Sequence, residues 1–334
     1  MKRVFRILGL AAVVALVAVS CKKNEGTKSF NVNVSELKGF QAGPSLDGSK
    51  AYFDPNDGYQ FKWSEGDNLV IYNLASNYEE SATGIFGLTS GAGTHNATFE
   101  GGNIGDMKNV GYFLFYNGEK AHRDLQEDNR ETFTVSAEQN YDPACKADPT
   151  AMVMACKVNQ NQVAGTQVQN FTMQHIFGYL NVAIADNLDQ NNPKKVTSIV
   201  VTDAKWNLSG DVSLKLGEVD AETLDGLINQ CESTNGGEAY LNALSTYLNT
   251  LGYIGQGEGK SITMNCNNFQ LPWRQWQYFF ISLRPGALYK GFTVTINYND
   301  GTSASHTFDA NINYLIKPAY FRNVYFTTAQ GFLQ

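Results

Sequence analysis

The strongest constraint on this chain is a succession of short segments with apolar residues at every second position, broken by turn residues. Phe30, Val32 and Val34 open the series. That spacing puts one set of side chains on one face of a strand, so a strand that buries one side is expected there. Segments of the same character recur at Tyr59–Trp63, Leu69–Asn73, Gly111–Tyr116, Glu131–Val135, Phe177–Ile184, Val196–Thr202, Ser261–Cys266, Gln277–Leu283, Phe292–Tyr298, Ala304–Asp309 and Phe321–Thr327. Asn299-Asp300-Gly301 is a hairpin signal between two of them. The series predicts an all-β chain built from tandem antiparallel β-sandwiches. One region departs from it. Asp220 is placed to cap a helix carrying Leu224, Leu227, Ile228 and Cys231, and Leu241, Leu244, Leu248 and Leu251 repeat at helical spacing before Gly252. A helical insertion is therefore expected over about 220–252, its leucine face on a sheet.

The first twenty residues stand apart from the fold. Lys2, Arg3 and Arg6 precede an apolar run, Ile7–Val19, that is too short to span a bilayer. This reads as an export signal over 1–20. Ala18-Val19-Ser20-Cys21 resembles a bacterial lipobox, so Cys21 is expected to be acylated and to anchor the chain, with ordinary signal cleavage as the alternative. A polar tether over 21–28 follows. The remaining length divides into an N-terminal domain over 29–165 and a C-terminal domain over 166–334, with the boundary in the polar stretch Asn159–Gln169.

Composition excludes other classes. A net charge of −7 argues against a nucleic-acid partner, 43% hydrophobic residues against disorder, and a mean hydropathy of −0.30 against a polytopic membrane protein. Cys145, Cys156, Cys231 and Cys266 remain after the lipid cysteine. A Cys145–Cys156 bridge would close a short loop and contribute about 3 kcal/mol; buried thiols are the other reading. No metal or cofactor site is expected. Gly255 to Ser261 looks like a phosphate loop, but Ile254 stands where the first glycine is needed and a strand follows. Neither a nucleophile elbow nor a zinc helix is present, His175 reads as a buried imidazole beside Ile176, and an enzyme is not expected. Trp273 and Trp276 read either as core between sheets or as exposed rings that stack on glycans. The second choice gives the alternative function, a monomeric membrane-tethered lectin-like lipoprotein.

Several segments in order resemble the Bacteroidetes fimbrillin family, the exported lipoprotein pilins of type V pili and their Mfa-like relatives. They are Phe61-x-Trp63-x-x-Gly66-Asp67 running into Leu69–Tyr72; Ala97–Gly101; Tyr112–Tyr116; Gln139 ahead of Asp148–Met152; Phe171–His175 leading into Gly178–Val182; and Tyr320–Phe326. The resemblance implies transthyretin-like sandwiches and a subunit of a stalk, tip or accessory kind, assembled by strand exchange with other fimbrillin subunits and supporting adhesion to a host protein or glycan. In that scheme the lipoprotein reaches the cell outer membrane, a protease removes the exchangeable strand of Phe30, Val32 and Val34, and a C-terminal strand of the next subunit refills the slot. Val324, Tyr325 and Phe326 form the closing or donor strand. No arginine lies between Arg6 and Arg123, so the cut would fall at Lys38 or Lys50.

Overall fold

The protein is described from a computed structural model over residues 28–34, 38–39, 52–54, 60–73, 82–101, 112–116, 130–158, 168–215, 221–251 and 259–333. The first part comprises β1 (Lys28–Val34), β2 (Lys38–Gly39), β3 (Tyr52–Asp54), β4 (Gln60–Lys62), β5 (Asn68–Asn73), β6 (Ala82–Ser90), β7 (Asn96–Gly101), β8 (Tyr112–Tyr116), β9 (Arg130–Val135), β10 (Glu138–Asn140), β11 (Met154–Val158) and β12 (Val168–His175). The second comprises β13 (Gly178–Ala185), β14 (Lys195–Asp203), β15 (Gly210–Lys215), helices α1 (Ala221–Ser233) and α2 (Glu238–Leu251), then β16 (Ser261–Gln270), β17 (Trp276–Leu283), β18 (Phe292–Tyr298), β19 (Ser303–Phe308), β20 (Tyr320–Thr327) and β21 (Gly331–Leu333). The all-β expectation holds, with the helical insertion where the leucine spacing places it.

In the first half, the strands close on themselves in the order β1-β12-β11-β8-β5-β6-β7, because β7 pairs back onto β1. The result is a barrel, not the open antiparallel sandwich expected. Its centre is filled by Val32, Leu69, Ile71, Phe86, Phe99 and Met173, beneath Phe61 and Trp63. A barrel of this size encloses side chains and no channel. The antiparallel expectation also fails at specific strands: β1 runs parallel to β12, β10 to β16, β13 to β20 and β2 to β20.

Two sheets make the second half, β10-β16-β14-β18-β19 and β17-β13-β20-β2, with β21 added to β20. Ile199, Val201, Ile262, Val294 and Ile296 of the first meet Leu180, Val182, Phe279, Ile281 and Val324 of the second. The opposite face of the second sheet carries Tyr179, Ala183, Tyr278, Phe280 and Phe321, which join the apolar cluster of the barrel. This sheet is covered on both sides, which is why all of Gly178–Ala185 is buried and reads as an almost unbroken apolar run. Although β9 and β10 precede residue 165, their partners β15 and β16 follow it. Gln139, fully buried, substitutes for a strand residue: its amide donates to the Ser282 carbonyl at 2.9 Å and accepts from the Ser282 N–H at 3.0 Å.

The helices pack Leu224, Ile228, Cys231, Leu241, Leu244 and Leu248 onto this core. Glu232 then fixes them to the end of the chain, pairing with Lys317 Nζ at 2.6 Å and Arg322 at 2.9 Å. Gly178 is required where β13 starts, since a Cβ there would lie 2.2 Å from the Lys317 carbonyl oxygen.

Candidate assembly site at the barrel seam

β1 pairs on both sides. Against β7 it is antiparallel, with Val32 opposite Ala97; against β12 it is parallel, with Val32 opposite Phe171. Val32 is 1% exposed, so its side chain points into the barrel. On the outer side, Thr98 Oγ1 donates to Asn31 Oδ1 at 2.9 Å. Phe30 and Val34 sit at the matching register positions, opposite Phe99 and Met173. Taking β1 away would therefore leave the β7 and β12 edges facing each other across an apolar gap.

The floor of this gap comes from the Phe61-x-Trp63-x-x-Gly66-Asp67 segment. Trp63 is fully buried and meets Phe61, Phe99 and Tyr116 edge to face, with ring centroids 4.9, 4.9 and 5.4 Å away. Its indole N–H donates to the His95 carbonyl at 3.2 Å. Gly66 supplies the positive φ of 88° that the following turn needs. Asp67 closes that turn, accepting from the Ser64 N–H at 2.7 Å and from the Tyr116 hydroxyl at 3.2 Å. The spacing of the motif is thus explained by packing and a turn, with no chemistry assigned to it.

Burial raises the Asp67 carboxyl to about 6, against the lowering effect of the Ser64 and Tyr116 hydrogen bonds. Its folded value lies above the ordinary 3.8, so the protonated form is the one folding favours. The contribution is complete below about pH 4 and lost as pH rises through about 6, amounting to up to about 3 kcal/mol. Asp67→Asn is expected to remove this pH dependence. Urea midpoints of the variant should gain on the wild type between pH 4 and 7, and a constant difference across that range would refute the assignment.

The other predicted site residues are spread out. Lys38 lies in β2, its backbone opposite Tyr320 of β20. Val324 and Phe326 are 3% and 4% exposed inside the second core, and β20 lies between β13 and its short partners β2 and β21. They close the sheet, and donation to a neighbour would first require opening that core. β21 adds to this edge, and its Phe332 packs on Phe326 at 4.9 Å and on Phe308 at 5.7 Å. Trp273 and Trp276 are half-buried, and Trp276 meets Tyr325 at 5.4 Å. Cys145 and Cys156 are thiols, not a disulfide pair. Cys145 is buried in the turn that links Asp142 to Ala147, whereas Cys156 sits on β11 with its thiol pushed up to about 11 by burial. Cys231 and Cys266 are buried thiols as well. His175 is 2% exposed, contacts the Tyr179 hydroxyl through Nδ1 at 2.8 Å, and is held neutral by burial, with its pKa lowered to about 3. Among the described residues there is no group of His, Cys, Asp and Glu that could hold a metal. Cys21 and Lys50 lie outside the described residues.

No protein-family model matches the sequence, and neither does any curated protein. Solved structures do match. A crystal structure of a candidate cell adhesion protein from Bacteroides ovatus superposes with a TM-score of 0.50 at 10% identity, over 91% of this chain and 93% of that one. The two share a fold. A candidate cell adhesion protein from Bacteroides uniformis matches at TM-score 0.44 and 11% identity over 86% and 94% of the two chains. A fimbrial assembly protein from Parabacteroides distasonis matches at 0.37 and 9% over 92% and 93%.

Proposed function

We propose that the protein is a fimbrillin-like surface lipoprotein, anchored to the outer membrane through Cys21 and serving as a non-enzymatic structural subunit of an adhesive pilus. The observation that carries this reading is the position of β1, an N-terminal strand that completes a barrel and leaves a strand-shaped slot when it goes. Protease action at Lys38 or Lys50 frees it, and a strand of a second copy refills the slot. Three or four apolar side chains at about 1.5–3 kcal/mol each, with ladder hydrogen bonds at about 1 kcal/mol each, give a joint on the order of 10 kcal/mol.

Limited trypsin digestion of the mature protein tests this. A new N-terminus at Gly39 or Ala51 accompanied by ladders on unboiled gels is the expected result. A chain that stays monomeric after losing its N-terminal strand would overturn strand exchange.

A further inference from the structure

The turn joining β16 to β17 presents aromatic surface and a positive charge on a rigid base. Arg274 donates its N–H to the Asp186 carbonyl at 2.8 Å, and Trp273 is bridged to the same residue. Asp186 is itself 1% exposed and accepts from the Lys194 N–H at 2.7 Å and the Thr328 hydroxyl at 2.6 Å, which tie it to two other segments. Arg274 takes a φ of 54°, a conformation that costs on the order of 1 kcal/mol for a residue with a Cβ. Its side chain is exposed, with the guanidinium 5.3 Å from the Trp273 ring centre. Three residues after Trp273, Trp276 stands half-open and is held edge-on to Tyr325 at 75°. The loop leaving Asp186 adds Leu188, 59% exposed.

We propose that this turn is a contact surface for a carboxylated polysaccharide. The half-open Trp276 ring offers flat apolar area of the kind that the carbon face of a sugar ring covers, and the Arg274 guanidinium beside Trp273 binds a carboxylate through two parallel hydrogen bonds. A chain of net charge −7 repels polyanions as a whole, so attraction to one requires a local cation of this kind. The biological meaning rests on the adhesion reading above, whereas the binding itself requires no assembly.

Electrophoresis of the intact mature protein through native gels containing polygalacturonate, with dextran gels as reference, tests the proposal. Retardation is expected in polygalacturonate only. Arg274→Gln, on an exposed side chain, should weaken it about tenfold, the loss of one charge-assisted pair. Arg274→Lys should retain part of it, and Trp276→Ala should reduce it. Equal mobility in both gels, equal retardation by dextran, or full retardation of Arg274→Gln with an unchanged melting temperature would each overturn the proposal. A failure to form trypsin-induced ladders would leave this result untouched, and the reverse also holds.

Discussion

A chain starting at Glu36, without β1, is expected to lose its monomeric state and to recover it when a synthetic peptide of residues 28–34 is supplied in excess. The reason is the double pairing of that strand. Its backbone groups bond to β7 on one side and β12 on the other, and Val32 fills the interior between Ala97 and Phe171. Without it, both edges are open and ready to recruit strands from other copies. Light scattering after gel filtration reads the mass, and far-UV circular dichroism checks that the second half remains folded. A monomer with the wild-type melting temperature would show that β1 contributes nothing to barrel closure. Val32→Asp in the full chain tests the same slot from inside. A carboxylate placed at a position 1% exposed must desolvate or protonate, and a loss of several kcal/mol is expected.

The second large effect is expected at Trp63. Trp63→Ala removes a fully buried indole that touches three aromatic rings and leaves the His95 carbonyl without its donor. Large-to-small changes of this kind cost about 3–5 kcal/mol. Trp63→Phe, which keeps a ring in the gap, should cost clearly less, and Leu188→Ala at an exposed position should stay within about 0.5 kcal/mol. Urea denaturation midpoints rank the three. If Trp63→Ala ranked with Leu188→Ala, the motif would need an explanation other than packing.

Trp63, Gly66 and Asp67 together explain what this segment does in the fold. Trp63 occupies the volume under β1 while Gly66 and Asp67 turn the chain into β5. In the proposed assembly, these residues would form the floor of the gap that a second strand covers.

Much of the β content was legible because alternation is a local property. Phe292–Tyr298 buries every second residue and was readable for that reason, as was Phe30–Val34. Strands that were missed lack the signal. β6 carries Gly84 and Gly87, and β21 is only three residues long. Gly210–Lys215 carries Val212 and Leu214 in alternation, but its pairing with β9, some eighty residues earlier, has no local imprint. The half-buried Trp276 could not be placed from its neighbours alone, since Tyr325 reaches it from another strand.

By itself the sequence determined the strand-rich class, the leucine-faced helices and the apolar register of β1, because each depends on side chains within a few positions of one another. The tertiary structure alone decided that the first sheet closes into a barrel, that β1 runs parallel to β12, and that Val324 and Phe326 lie inside a core. Those outcomes depend on which distant edges meet, and the pairing of backbone groups across a hundred residues carries no imprint in local composition.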